Sequence, residues 1–137
     1  MPVELRNAQR AVPLDTRRLK RQAEALLAAA GQEGSVLSVL LTDDRRMARL
    51  HERWMGEPGP TDVMSFPMGE ARILGDVVIS VETAARRRPK NPAGEVLRYL
   101  VHGLLHLTGH DHRRKAERLR MDRQARLLRR KAGKGSA

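Results

Sequence analysis

Apolar residues recur at helical spacing along much of the chain. Stripes spaced three or four residues apart predict helices over residues 15–30, 43–54 and 112–131, and a short helix is predicted over residues 81–88. An aspartate precedes each of the first two stripes, where its carboxylate can accept hydrogen bonds from the unpaired amides of a helix start. A further helix is predicted over residues 91–107. From residue 96 onwards it is apolar on almost every face, which is typical of a helix enclosed by other structure.

Shorter apolar runs separate these helices and predict strands. Val36–Thr42 is a mainly apolar run, as in a strand that is buried on both faces, and residues 76–80 are predicted as another strand. Val3–Asn7 and residues 62–66 are predicted as two further strands. The pattern therefore predicts a small sheet flanked by helices, with no internal repeat.

The size and composition of the chain limit its class. Its 137 residues suffice for one domain, predicted over residues 1–130, and residues 131–137 are expected to form a disordered basic tail. The absence of cysteine excludes a disulfide scaffold and fits a reducing compartment. No apolar run approaches the length of a membrane span, and the amino terminus lacks the apolar segment of a signal peptide. A cytoplasmic location is expected.

Four of the five histidines fall within eleven residues, in the segment VHGLLHLTGHDH. His102 and His106 are four positions apart, so on a helix they project from one face at successive turns. Gly109 can adopt the left-handed conformation that ends a helix, after which the chain can bring His112 back towards the pair. The sequence therefore predicts a three-histidine metal site on, and just after, a buried helix.

The type of ligand indicates which metal this site would hold. Imidazole ligands without any thiolate favour zinc, and three histidines leave the fourth coordination position for water, as in catalytic zinc sites. Zinc lowers the pKa of such a water and polarises a carbonyl or phosphoryl oxygen, so a metal-dependent hydrolase is expected. A fourth ligand from His110 or Asp111 stays an alternative, although both are expected beside the metal rather than on it.

The histidine spacing also resembles a protease signature. The metzincin pattern H-E-x-x-H-x-x-G-x-x-H is reproduced from His102 to His112 except at one position. Those proteases carry there the glutamate that acts as general base, whereas this chain has Gly103. Since glycine cannot accept a proton, the peptidase interpretation is disfavoured.

The formal net charge of +11 is concentrated after the histidine segment. Residues 1–112 carry 16 Lys/Arg and 14 Asp/Glu, whereas residues 113–137 carry 11 Lys/Arg and 2 Asp/Glu, a net of +9. A basic segment of this kind attracts polyanions, and nucleic acid is the expected partner. The chain has a single Trp, Tyr and Phe, so contact is expected with phosphates rather than with stacked bases.

Three sequence blocks together resemble the bacterial YbeY endoribonucleases. They are HGLLHLTGHDH at 102–112, TDVMSFP at 61–67 and LGDVVIS at 74–80, and their order and separation match the family. The resemblance extends from about residue 3 to residue 130, and the histidine block is its most specific part. It implies an α+β fold with a small mixed four-stranded sheet, and one zinc ion per chain on His102, His106 and His112.

The same resemblance implies the substrate and the biological role. It implies endonucleolytic cleavage of single-stranded RNA. The implied roles are maturation of ribosomal RNA 3′ ends and ribosome quality control, and the implied partners are the ribosome or its assembly proteins. Attack by a metal-bound hydroxide and attack by the ribose 2′-hydroxyl are both open.

Further site residues are expected around the metal. By resemblance Thr61, Asp62 and Ser65 line the substrate cleft, although strand capping and turn hydrogen bonds explain Thr61 and Asp62 equally well. Asp111 is the candidate proton carrier, with orientation of a ligand imidazole as its alternative role. His110 is a candidate substrate-binding residue.

One position departs from the family pattern. Where relatives have an aromatic-Arg-Gly sequence, this chain reads Trp54-Met55-Gly56. A methionine cannot bind a phosphate as an arginine does. Arg53 or Arg72 is expected to substitute, unless each simply faces solvent. Besides the endoribonuclease, a ribosome-associated RNA-binding protein with a mainly structural metal therefore stays an alternative.

Overall fold

The computed structural model describes residues 3–32, 34–56, 61–68 and 72–108, together with residues 126, 127 and 130. These residues form one four-stranded sheet with helices on both of its faces. The strands are β1 (Val3–Asn7), β2 (Val36–Thr42), β3 (Val63–Pro67) and β4 (Ile73–Ser80), and the helices are α1 (Thr16–Ala29), α2 (Asp44–Met55), α3 (Val81–Arg87) and α4 (Pro92–Leu107). The predicted α+β class is confirmed. The helix predicted over residues 112–131 and the tail over 131–137 lie largely outside the described residues.

The sheet is mixed, as expected. Its order is β1-β2-β4-β3, with β1, β2 and β4 parallel and β3 antiparallel to β4. Among the described strands, β3 pairs only with β4 and therefore forms one edge of the sheet. No helix within the described ranges combines the length and the apolar character needed to cross a membrane.

Side-chain caps begin each of the four helices. Asp15, Asp43, Ser80 and Asn91 each accept a hydrogen bond from the backbone amide three residues later, which satisfies one of the unpaired donors of the helix start. The caps that the sequence predicted for α1 and α2 are thereby confirmed, with Asp43 rather than Asp44 at the start of α2.

The beginning of β4 differs from the prediction. The strand starts at Ile73 rather than at residue 76, and it contains Gly75 in a backbone conformation of φ +148° that residues with a Cβ atom rarely adopt. A Cβ there would collide with the carbonyl oxygen of Phe66 and lie 2.9 Å from a methyl group of Leu107. A glycine in an apolar run usually indicates that the strand is interrupted there, so the strand was predicted to begin after Gly75. In the structure the glycine instead allows β3 and α4 to approach β4 closely.

The apolar core lies mainly between the sheet and the pair α1 and α4. Leu26, Leu37, Ile79, Leu100 and Leu104 are all fully buried there. A fully buried side chain of this size contributes about 2 kcal/mol to the free energy of unfolding. A smaller cluster of Met47, Met64 and Val78 holds α2 against the opposite face of the sheet. Helix α4 is therefore held by the larger of the two clusters.

A polar network around Asp44 joins the starts of α2 and α3. Thr42 and Ser80, the last residues of β2 and β4, are paired in the sheet, so the two following helices begin side by side. The carboxylate of Asp44 accepts hydrogen bonds from the hydroxyls of Ser80 at 2.5 Å and Thr83 at 2.7 Å, and it forms an ion pair with Arg86. Partial burial raises the pKa of Asp44, but the hydrogen bonds from Arg86, Ser80 and Thr83 outweigh it and hold the pKa below its ordinary value.

The lowered pKa of Asp44 predicts a component of acid sensitivity. Its contribution to stability is fully present above its ordinary pKa, near 3.8, and is lost as the pH falls through the lower pKa of the folded state. Asp44→Asn should lower the free energy of unfolding at pH 7 by about 1–2 kcal/mol. It should also flatten the decrease in stability below about pH 4, as measured by urea denaturation.

Asp43→Asn is the matched control for that measurement. It removes the same charge from the neighbouring residue, and asparagine caps a helix as well as aspartate does. If Asp44→Asn and Asp43→Asn show the same pH profile as the unmodified protein, the Asp44 network does not contribute to stability as described.

Candidate active site

Helix α4 lies unusually close to the sheet at Gly103. A Cβ atom at this position would be 2.8 Å from Cγ1 of Val77 on β4 and 3.0 Å from Oγ of Ser65 on β3. The hydroxyl of Ser65 donates a hydrogen bond of 3.4 Å to the carbonyl oxygen of Gly103. The glycine therefore faces the sheet, and its lack of a side chain sets the separation of α4 from β3 and β4.

His102 and His106 lie beside this contact, on the side of α4 next to the sheet edge. Their ring centroids are 4.7 Å apart, and their Nε2 atoms are separated by 3.2 Å. His102 is half-buried and His106 is exposed, although the helix that carries them is packed into the core as predicted. The apolar residues around them are buried in the core, whereas the imidazoles reach its border.

The separation of the two nitrogens is compatible with a shared zinc ion. Two nitrogens bound at about 2.0–2.1 Å to one tetrahedral zinc ion lie about 3.3 Å apart, close to the 3.2 Å observed here. Within the described residues, no group of three His, Cys, Asp or Glu side chains is arranged to hold a metal. The predicted third ligand His112 lies outside the described residues, so the three-histidine site stays a prediction.

Both histidines line a cleft of about 490 Å³ beside β3, an edge strand of the described sheet. One wall is formed by α4, one by β3 and the residues before it, and one by α2. The described residues that line it are His51, Met55, Thr61, Asp62, Val63, Met64, Ser65, Pro67, His102, His106 and Leu107. A larger groove of about 580 Å³ exists at Trp54 and Phe66, but none of the three described histidines lines it.

The cleft contains a third histidine that the sequence interpretation missed. His51 follows the buried Met47 by four residues on α2 and precedes Met55 by four, so the three occupy successive turns of one helix face. Met47 anchors that face to the sheet, and His51 and Met55 line the cleft. The spacing of four from Met47 was the available signal. It identifies the buried face of α2, but it does not show that this face reaches α4.

Thr61, Asp62 and Ser65 all line the cleft, and each also makes a hydrogen bond within the protein. Asp62 Oδ1 accepts hydrogen bonds from the amide of Val63 at 2.8 Å and from the hydroxyl of Thr61 at 3.4 Å. Asp62 Oδ2 forms an ion pair of 2.6 Å with Arg87 on α3. The carboxylate of Asp62 is therefore held in one orientation at the border of the cleft. The ion pair with Arg87 had no signal in the sequence.

The remaining predicted positions divide into two groups. His110 and Asp111 lie outside the described residues, and their roles stay predictions. Met55 lines the cleft at the position where the family resemblance led us to expect an arginine, and it is half exposed. Arg53 and Arg72 are not among the described residues that line the cleft. The guanidinium of Arg53 lies 5.5 Å from the ring centroid of Trp54.

The close contact at Gly103 yields a prediction about stability. Alanine is the better helix former by about 1 kcal/mol, but the steric conflict with Val77 costs about 1–3 kcal/mol. Gly103→Ala should therefore lower the free energy of unfolding, measured by urea denaturation.

A double-mutant cycle with Val77→Ala identifies the cause. Removing both methyl groups of Val77 makes room for the new Cβ, so the two substitutions should couple by at least about 1 kcal/mol. A Gly103→Ala protein more stable than the unmodified one would show that α4 does not touch the sheet as described.

Comparison with known proteins identifies the family. The Endoribonuclease YbeY family model matches residues 4–133. An endoribonuclease YbeY from an Anaeromyxobacter species is 48% identical over 124 residues, which cover 85% of this chain and 65% of that protein. The Geobacter sulfurreducens endoribonuclease YbeY is 41% identical over 140 residues, with 93% of each chain covered.

A solved structure supports the fold. The solution structure of TM1509 from Thermotoga maritima matches with a TM-score of 0.66 at 22% identity, and the match covers 95% of this chain and 88% of that one. This chain spans about two thirds of the length of the Anaeromyxobacter relative, 65%, and nearly all of the Geobacter one, 93%. With the family model matched along almost its whole length, the chain belongs to the YbeY endoribonuclease family.

Proposed function

We propose that this protein is a zinc-dependent endoribonuclease that cleaves single-stranded RNA in the maturation of ribosomal RNA 3′ ends and in ribosome quality control. The observation that carries the proposal is the pair of Nε2 atoms of His102 and His106, 3.2 Å apart in an open cleft of a YbeY family member. Its partners in this proposal are ribosomal RNA and the ribosome or its assembly proteins, and its location is the cytoplasm.

In this proposal His102 and His106, with His112, hold one zinc ion. When bound, zinc supplies Lewis-acid chemistry that stabilises negative charge on a phosphoryl oxygen. The helical spacing of His102 and His106 presents both imidazoles to the same point, and the packing of α4 on the sheet holds that face at the cleft. The packing of the core therefore fixes the positions of the two ligand side chains.

The other wall of the cleft binds and orients the RNA in this proposal. The hydroxyls of Thr61 and Ser65 lie on the cleft wall, where they donate to Asp62 and to the Gly103 carbonyl, and their oxygens are suited to accept a hydrogen bond from a ribose 2′-hydroxyl. The carboxylate of Asp62 is ion-paired to Arg87, and this reduces its repulsion of an anionic substrate. The cleft follows β3, an edge strand of the described sheet, where one extended strand of nucleic acid has access from solvent.

The peptidase alternative requires a general base at position 103. Gly103 faces Val77 and Ser65, and even a methyl group there would conflict with them. A glutamate introduced at this position would displace the sheet rather than reach the cleft. The contact at Gly103 thus argues against peptide hydrolysis and favours a site that obtains its proton carrier elsewhere.

Metal-dependent cleavage of RNA is the direct test. The zinc-loaded protein should cleave single-stranded ribosomal RNA, and His102→Ala and His106→Ala should each lower kcat by at least about a hundredfold, as losses of groups that orient a catalytic metal do. Chelation followed by addition of zinc should abolish and then restore cleavage. Cleavage is followed by gel electrophoresis and folding by circular dichroism.

Arg98→Lys is the control on the same helix, because it keeps a positive charge beside the buried carboxylate of Glu95. Arg98 is ion-paired with Glu95 and does not line the described cleft. It should leave cleavage unchanged. A different result would support the RNA-binding protein with a structural metal. In that case the zinc-loaded wild type would not cleave RNA, and the His106→Ala variant would still bind it.

A further inference from the structure

A second, smaller pocket adjoins the histidine cleft on its α3 side. It has a volume of about 270 Å³ and is lined by Thr61, Asp62, Thr83, Arg86 and Arg87. Thr61 and Asp62 also line the cleft, so the two depressions share a wall. This α3 pocket is the nearest place where the cleft meets cationic side chains among the residues described.

Both arginines of the α3 pocket are held in place by acceptors on other elements. Arg86 donates hydrogen bonds to Asp44 and to the hydroxyl of Thr83, the latter at 3.1 Å. Arg87 donates to Asp62 at 2.6 Å and to the hydroxyl of Tyr99 at 3.2 Å. These partners belong to α2, α3, α4 and the segment before β3, so the guanidinium groups are oriented by the fold rather than by solvent.

The arginines keep donors for a ligand. A guanidinium carries five N–H groups, and the bonds above use two of them on each arginine. The side chains of Arg86 and Arg87 are 60% and 52% exposed, although each is ion-paired. A planar group that is held by a carboxylate on one side and open on the other is suited to bidentate recognition of phosphate oxygens.

The local charge also favours an anion. Arg86, Arg87, Arg88 and Lys90 follow one another within five residues at the end of α3, and all four are exposed. The carboxylates near this group among the described residues are those of Asp44, Asp62, Glu82 and Glu95. Asp44 and Asp62 are paired with Arg86 and Arg87, and Glu95 is paired with Arg98. The carboxyl end of a helix itself repels anions, so the attraction must come from these side chains.

The described lining of the histidine cleft contains no such cations. None of its described lining residues is a lysine or an arginine, and Met55 contributes a thioether. A single strand of RNA carries one negative charge per nucleotide, and proteins hold it mainly through cationic contacts with that backbone. A strand lying in the cleft would meet Arg86 and Arg87 where it crosses the wall formed by Thr61 and Asp62.

We infer that the α3 pocket is a backbone-phosphate subsite, in which Arg86 and Arg87 bind a phosphate of the RNA strand next to the one placed at His102 and His106. The inference rests on the proposed function, because it specifies how the same cleft engages its substrate. Asp44 and Asp62 are then positioning residues for the two guanidinium groups.

The test compares charge-matched variants of the full zinc-loaded chain. Arg86→Ala/Arg87→Ala removes two charges from the pocket, and Arg17→Ala/Arg21→Ala removes two exposed charges from α1, none of whose residues lines the described cleft or the α3 pocket. Binding of a 2′-O-methylated single-stranded 12-mer is measured by fluorescence anisotropy at several salt concentrations. Cleavage of the unmodified RNA supplies kcat and KM.

The pocket variant should raise both Kd and KM by about tenfold, as expected for lost hydrogen bonds to a charged group, with a smaller effect on kcat. The slope of log Kd against log salt should decrease by about 0.7, the contribution of one phosphate contact on a single strand. Arg86→Lys/Arg87→Lys keeps both charges but removes the planar pair of guanidinium donors. It should retain the salt slope and raise Kd by about threefold. The α1 variant should match the unmodified protein.

The outcomes separate this inference from the proposed function. Equal Kd, KM and salt slope in the two alanine variants would overturn the subsite, even where cleavage requires the metal. Arginine-dependent binding without metal-dependent cleavage would support the subsite and overturn the proposed function. If the alanine variant does not fold, the lysine variant decides: an unchanged Kd and KM would overturn the subsite.

Discussion

The close packing of α4 against the sheet at Gly103 is the constraint on which the site depends. With no Cβ at this position, the helix backbone approaches Val77 and receives the hydrogen bond from Ser65. The neighbouring residue His102 is thereby placed at the edge of β3, and His106 follows one turn later. A wider separation would carry both imidazoles away from the wall formed by Thr61 and Asp62. Gly103, which stands where metzincin proteases carry their glutamate base, thus sets the positions of His102 and His106.

Much of the fold was predictable because its signals are local. Aspartates before α1 and α2, the apolar run of β2 and the apolar surface of α4 each act over a few residues, and the structure confirms them. The start of β4 was not predictable. Gly75 indicates a break when it is considered alone, yet it serves a contact with Phe66 and Leu107 that depends on the packing of the whole sheet.

The candidate site was predictable only in part, and for the same reason. The i, i+4 spacing of His102 and His106 identifies a pair on one helix, and the structure brings their Nε2 atoms together. The contribution of His51 from α2 and the ion pair of Asp62 with Arg87 join segments that are distant in sequence. No local pattern encodes such contacts, because they arise where β2 and β4 end side by side and direct α2 and α3 along one edge of the sheet.

The most direct test of the account is the location of zinc in a crystal of the zinc-loaded protein, measured by anomalous diffraction at the zinc absorption edge. The account predicts one strong peak per chain, at about 2.0–2.1 Å from the Nε2 atoms of both His102 and His106. A peak bound to neither histidine, or to only one of them, would contradict the claim that α4 presents these two imidazoles to a single metal ion.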